Sequence, residues 1–334
     1  MEAKNSTFHK ILKKFKKPVL VDNRNWRKRV PTVDKYFSLL EKEISQFPKE
    51  KGMIVDPSIV GKVHCAVCNK EDYQQLFLKK GFYYVICKSC EHIYVRNPLK
   101  EEVVIQLYRS SDVDNAHIEA QEDEKYSKYQ KKMAEKYLNI LKALGIINGN
   151  LLDVGCGVGN FLSFCKEKAL FTLYGIELNK IVYPKLINLL GKDNLYLVPI
   201  ENVDFKDLRF KVITLWGVLE HLANPISVIS RCVGLLEKDG YVLVLIPNLL
   251  SRAFKILGIN TPTLNPRSHL QMFTKSSFEK MCENVGLEVV ELFCELPVID
   301  LMYDHIHYNN EIISDIIEQE ESYYYVYLLR KIVY

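Results

Sequence analysis

The sequence predicts an α/β fold: a parallel sheet covered by helices on both faces, preceded by a small strand-rich unit and a helical arm. Two patterns predict it. From Leu151 onward, short apolar runs alternate with segments of helical period, and ahead of them four cysteines stand as two CxxC pairs. Charge separates the arm from the rest. The 334 residues carry a net +4, but residues 1–30 hold ten Lys or Arg against two acids, so the remainder is acidic. That describes a basic arm on a near-neutral protein. No run approaches the length of an apolar membrane span, and the charged start does not read as a secretory signal. A cytoplasmic setting is expected, in which nine cysteines read as thiols or metal ligands and not as disulfides.

The elements follow in order. "FHKILKKF" at 8–15 places Phe8, Ile11, Leu12 and Phe15 on one face of a short basic helix that Pro18 breaks. A second helix follows Pro31 over "TVDKYFSLLEKEISQF", and Pro48 and Gly52 end it. After the strand-rich unit, a helix around 116–145 aligns Met133, Tyr137, Leu141 and Leu144. Strands are expected at 151–154, 172–177, 195–199, 211–216 and 240–246, and helices at 159–168, 180–190, 224–236 and 275–285. "GLEVVELF" and "YYYVYLLRKI" read as two final strands that can pair as an antiparallel edge. The expected organisation is a basic helical arm over 1–58, a ribbon over 59–99, a helical linker or cofactor lid over 100–148, and a main domain over 149–334.

The pairs Cys65/Cys68 and Cys87/Cys90 are eighteen residues apart, with a hairpin expected to turn at Lys80-Gly81 between them. Two such knuckles supply four thiolates to one tetrahedral zinc, which closes its coordination sphere and makes it structural. His64 and His92 beside the knuckles read as spare surface histidines. The remaining cysteines, Cys156, Cys165, Cys232, Cys282 and Cys294, have no ligand spacing and read mostly as core.

"LLDVGCGVGNF" at 151–161 ends a strand in a GxGxG turn, with Asp153 just ahead of Gly155. Glycines so spaced let a backbone approach a nucleotide. The next strand ends at Glu177, where a carboxylate can accept ribose hydroxyls. Strand four then reads "FKVITLWGVLEHLANP". With "LLEKDGYVLVLIPN" and "HLQMFTKSSFEKMCENVGLEVVEL", these segments over about 149–290 resemble a class I S-adenosylmethionine-dependent methyltransferase. Lys211 departs from the pattern, which commonly has Asp there. The resemblance implies a Rossmann-like sheet of seven strands with the last antiparallel. It implies that Asp153, Gly155, Cys156 and Gly157 line the methionine part of the cofactor and that Glu177 holds the ribose. Leu178 and Asn179 would lie beside the adenine, Ile200 and Glu201 at its edge, and Trp216 and Gly217 would close over the cofactor. A four-cysteine ribbon followed by "HIYVRNP" also resembles the first part of bacterial small-molecule methyltransferases, including sugar methyltransferases.

Methyl transfer to a hydroxyl needs alignment and removal of a proton. His221 in "LEHL" is the first candidate base and His269 in "RSHLQMF" the second; Glu220 can orient a base or cap a helix. Asp304, His305 and His307 can line a lid, and "NRNWRKR" at 23–29 can stack on and neutralise a nucleic acid. The function expected is methylation of a small molecule or glycan precursor at oxygen. An RNA methyltransferase using ribbon and arm as a clamp, and a non-catalytic cofactor-binding protein, are the alternatives.

Overall fold

The computed structural model describes residues 10–19, 31–110, 112–296 and 310–332. The alternating half builds one sheet from Asn150–Val154 (β4), Thr172–Ile176 (β5), Leu195–Tyr196 (β6), Phe210–Trp216 (β7), Leu236–Pro247 (β8), Leu287–Glu295 (β10) and Tyr324–Lys331 (β11). Its order is β10-β11-β8-β7-β4-β5-β6, seven strands. β4 to β8 run parallel, whereas β11 is antiparallel to both β8 and β10. The last strand is therefore inserted inside the sheet, and β10 forms the edge. β11 has the composition for that place: residues 325–329 are buried without alternation, as in a strand covered on both faces. The helices Asn160–Lys168 (α5), Tyr183–Leu190 (α6), Pro225–Leu235 (α7) and Lys275–Asn284 (α9) lie where the periodicity places them. Lys211 pairs with Asp239 at 2.6 Å across the starts of β7 and β8.

The ribbon hairpin joins Tyr73–Lys79 (β1) to Phe82–Cys87 (β2). Lys80 and Gly81 both have positive φ, 54° and 99°, the backbone of a tight primed turn matched to strand twist. Ile93–Val95 (β3) adds a third strand. The fourth comes from far along the chain: Gln271–Met272 (β9) pairs with β3, giving the order β1-β2-β3-β9. Ribbon and main sheet consequently share one core, in which Val85, Cys87 and Tyr94 pack with Phe273, Phe278 and Tyr327. His92 is fully buried in that seam, which corrects its expected place on the surface; β9 and the Phe273 ring cover it. His64 is exposed.

Pro31–Ser45 (α1), Asp112–Glu122 (α3) and Glu124–Ala143 (α4) cover the carboxyl ends of the strands and one sheet face, whereas Val103, Val104 and Leu107 of Glu101–Ser110 (α2) pack against the ribbon. Tyr137, Leu138 and Leu141 of α4 pack with Leu162, Leu243 and Leu328. The arm joins them. Leu12 is buried in the same cluster. Lys16 pairs with Glu291 at 2.5 Å, and the Val19 N–H donates to Glu295 at 2.8 Å. Glu295, fully buried, also accepts from Tyr137 Oη at 2.7 Å and pairs with Lys136. A docked strap thus stands for part of the basic arm. Phe8, the segment 23–29 and residues 304–307 lie outside the described residues. The acidic stretch forms Asn310–Glu318 (α10), with Ile313 and Ile316 buried and the acids outward. Among the described residues no helix is long and apolar enough to cross a membrane.

Candidate active site

A cavity of about 250 Å³ opens at the carboxyl ends of β4 and β7, beneath α1, α3 and α4. Its floor is the turn after β4. Gly155 and Gly157 have φ of 70° and 54°; a Cβ on Gly155 would stand 2.9 Å from Val218, and one on Gly157 would stand 3.3 Å from Gln121. Only glycine accepts both that backbone and that closeness. Beside the turn, the Glu177 carboxylate accepts from the Gly157 N–H at 2.8 Å and from the Leu178 and Asn179 N–H groups at 2.7 Å. Asp153 is buried below the turn and accepts from Thr214 Oγ1 at 2.7 Å. Burial pushes its carboxyl up to about 7, the Thr214 bond lowers it and the Glu177 charge raises it. The Trp216 indole N–H is buried with no hydrogen-bond partner, and its ring lies 5.1 Å from Phe161 and 5.3 Å from Tyr137.

The opposite wall is histidine-rich. The His221 and His269 rings meet edge to face at 4.8 Å. His221 Nδ1–H donates to the Ser268 carbonyl at 3.0 Å, and His269 Nδ1–H donates to that of Thr263 at 2.7 Å. Both Nε2 lone pairs are thereby left free. Glu220 is 2% exposed, and its Oε2 has no partner. One carboxyl oxygen and one nitrogen of each ring lie within 4.8 Å of one another, a spacing that a shared cation could bridge. Burial raises Glu220 to about 8. His221 is exposed to the open cavity, yet the protein walls around its ring restrict its hydration and hold it well below the usual histidine range, reinforced by His269, His117 and Arg267. The same enclosure lowers the half-buried His269 and His117, whose side chain is exposed to the cavity, each to about 4. These imidazoles are neutral at pH 7, and the Glu220 carboxyl is mostly protonated. Arg267 is occupied behind them by Glu43 and Asp114.

Apart from the cavity, Sγ of Cys65 and Cys90 are 3.4 Å apart, as are those of Cys68 and Cys87, and all four lie within 4.8 Å of one another. Four thiolates at about 2.3 Å from a tetrahedral zinc stand about 3.8 Å apart, so the set fits that ion with small shifts.

A family model described as a methyltransferase domain matches residues 126–292, half of the chain. The chain belongs to the methyltransferase domain family. With its glycine turn and inserted antiparallel strand, it is a class I S-adenosylmethionine-dependent methyltransferase. Among curated relatives, the ubiquinone biosynthesis O-methyltransferase of Haemophilus ducreyi is 28% identical over 172 residues, 45% of this chain and 70% of that protein. The tRNA U34 carboxymethyltransferase of Sulfurimonas denitrificans is 27% identical over 168 residues, 47% of this chain and 54% of that protein. Among solved structures, the 1,6-didemethyltoxoflavin-N1-methyltransferase of Burkholderia thailandensis is similar at TM-score 0.48 and 14% identity, over 78% of this chain and 100% of that one.

Of the residues singled out in sequence, Asp153, Gly155, Cys156, Gly157, Trp216, Gly217, His221 and His269 line the methyltransferase's cavity. Glu177, Leu178 and Asn179 flank it at the end of β5. Ile200 packs in the core and Glu201 is exposed; neither lines the cavity. The sequence did not single out His117, Tyr36, Gln121, Gln130 or Asn160, which also line it. His117 accepts from Gln121 Nε2 at 2.9 Å and lies 5.2 Å from the Tyr36 ring. Helical periodicity marks no binding residue on α1 or α3, because the partner face of each is set by the other helix.

Proposed function

We propose that this methyltransferase methylates a hydroxyl of a small acceptor, with His221 as the base. One observation carries this: a neutral imidazole with a free Nε2 shares a 250 Å³ cavity with the glycine turn. S-adenosylmethionine, when bound, supplies a methyl group on a positively charged sulfur. Asp153, Gly155, Cys156 and Gly157 would hold its methionine part, Glu177 the ribose, and Leu178, Asn179, Ile200 and Glu201 the adenine region. Trp216 and Gly217 would close over it. The protein's remaining tasks are alignment, exclusion of water and removal of the acceptor's proton. His221 Nε2 takes that proton, and the neighbouring Glu220 carboxyl, neutral at the start, can offset the imidazolium only by giving up its own proton. Among the described residues, the arginine nearest this wall is occupied by Glu43 and Asp114, which favours an uncharged acceptor. We further propose one structural zinc on Cys65, Cys68, Cys87 and Cys90, and a division into arm, ribbon, lid and catalytic domain at about residues 59, 100 and 149. Gln121, Gln130 and Met133 of the 100–148 segment line the cavity, which supports its role as lid.

His221→Ala should lower kcat by about a hundredfold or more while cofactor affinity, read by calorimetry, stays within about twofold. The acid limb of kcat should fall below the ordinary histidine range, because His221 is held below it. An unchanged kcat would remove His221 from the chemistry. Activity restored only by added divalent cation would assign the Glu220, His221 and His269 cluster to a metal. The tRNA-modifying relative keeps an RNA acceptor in view. Lys13 and Lys14 are exposed on the docked strap, so Lys13→Glu with Lys14→Glu tests it without undoing Leu12 or Lys16. A small acceptor should be indifferent to that change, whereas a polymer should bind more weakly and with less salt dependence.

A further inference from the structure

The turn that carries His221 is held from outside its own element. The Glu220 carbonyl accepts from the Leu270 N–H at 2.7 Å. The His221 ring donates to the Ser268 carbonyl at 3.0 Å. The Leu222 carbonyl accepts from Gln271 Nε2 at 2.9 Å. Consecutive residues of the turn thus hang on the segment 268–271. That segment hangs on the ribbon. The Val95 N–H donates to the Leu270 carbonyl at 2.9 Å, and Tyr94 is the register partner of Gln271. His92 Nε2–H donates to Gln271 Oε1 at 2.8 Å. His92 is 0% and Gln271 3% exposed, so losing either partner would leave a buried polar group unpaired. His92 also belongs to the second knuckle, because its carbonyl accepts the Cys87 N–H at 2.8 Å. Neither His92 nor Gln271 lines the cavity.

The glycine turn is outside this chain of bonds. Gly155 and Cys156 donate to the Ile176 carbonyl at 2.9 and 3.0 Å, and Gly157 donates to Glu177. Its backbone hydrogen bonds stay within residues 155–177, although Gly155 packs against Val218.

We propose that the ribbon is the positioning frame of the acceptor end. Metal on the cysteines fixes the 87–92 turn, His92 fixes Gln271, and residues 268–271 fix the His221 turn. Ribbon loading therefore sets turnover on the acceptor and leaves cofactor affinity alone. This rests on His221 acting as the base. His92 and Gln271 are positioning residues.

The test uses the full chain, with zinc as purified, stripped by chelator, and restored. Hydrogen exchange of residues 218–223 and 270 should quicken on stripping and slow again on reloading. His92→Phe keeps an aromatic ring against Tyr94 and Phe273 but loses the N–H; Gln271→Leu loses the donor to Leu222. Each should quicken the same exchange and lower kcat about tenfold or more, with cofactor affinity within about twofold. His92→Gln retains a side-chain N–H and should stay near the parent. Exchange at 218–223 that ignores both zinc and Gln271→Leu would overturn the proposal. So would a loss of cofactor affinity parallel to the loss of turnover. Quickened exchange with undiminished kcat would leave the frame standing and remove His221 as the base.

Discussion

The two ends of the cavity are built by different means. The glycine-turn end comes from residues 151–177: two adjacent strands, the glycine turn, and the helix α5 that joins them. Its groups are positioned by backbone bonds within that unit, such as Gly155 N–H to Ile176 O at 2.9 Å. The histidine end gathers Tyr36, His117, Glu220, His221 and His269 from four separated segments. A site made within one turn is fixed by its own backbone; a site gathered across the chain needs an outside frame, here α1, α3 and the ribbon. Variants at the first end should therefore strike cofactor affinity, and variants at the second should strike turnover or the pH dependence of folding.

The largest effect expected is at the turn. A side chain on Gly155 meets Val218 at 2.9 Å, and φ of 70° is strained for any β-branched residue. Gly155→Val should weaken S-adenosylmethionine binding by about a hundredfold or more, since strain of a few kcal/mol must be relieved by moving the turn. Calorimetry checks this, and circular dichroism should show the fold retained. Affinity within tenfold of the parent would mean that the turn does not cradle the cofactor.

The same division explains what was legible in the sequence. The GxGxG turn, Glu177 and the CxxC pairs are local spacings whose chemistry shows without a fold. The strand and helix positions after Leu151 follow from periodicity. β9 was not legible: "QM" is too short to show a period, and its role comes from pairing with β3 across 176 intervening residues. With β9 missed, the burial of His92 was missed too. The inner position of β11 was written in its unbroken apolar run, but such a run does not name its neighbours. His117 reached the site through the packing of α1 on α3, and the sequence carries no motif for that contact.

The histidine end should show itself in the pH dependence of stability. Burial lifts Glu220 from 4.5 to about 8. Between those values the folded protein keeps a proton that the unfolded chain gives up. The contribution of Glu220 is thus fully present below the unfolded value and lost as pH rises through the folded one. Glu220→Gln has no such proton. Relative to the variant, the parent should lose about 1.4 kcal/mol per pH unit within that window, on the order of 2 kcal/mol between pH 5 and 7 after relaxation of the site. Denaturant melts of both proteins at several pH values read the difference. A constant difference would mean that Glu220 is ionised throughout, and that a cation or a hydrogen-bond donor faces it.

The smallest effect expected returns to the first end. Asp153 titrates near 7 because burial opposes its charge while Thr214 Oγ1 supports it at 2.7 Å. If the ionised carboxylate serves the positively charged cofactor, affinity should rise as pH passes upward through about 7 and level off above. Thr214→Val keeps the shape and removes the donor, so the Asp153 carboxyl should titrate still higher. The rise in affinity should move to higher pH with it. The loss at pH 7 should be modest, up to about tenfold, because one hydrogen bond to a charged group is at stake and part of the carboxyl is already neutral. At pH 9 most of the loss should be recovered, since the carboxylate forms in both proteins. Calorimetry at pH 6, 7 and 9 separates this from simple damage to packing, which would lower affinity equally at every pH. A pH-independent loss would make Thr214 a packing residue and take Asp153 out of charge recognition, leaving the glycine turn and Glu177 to hold the cofactor.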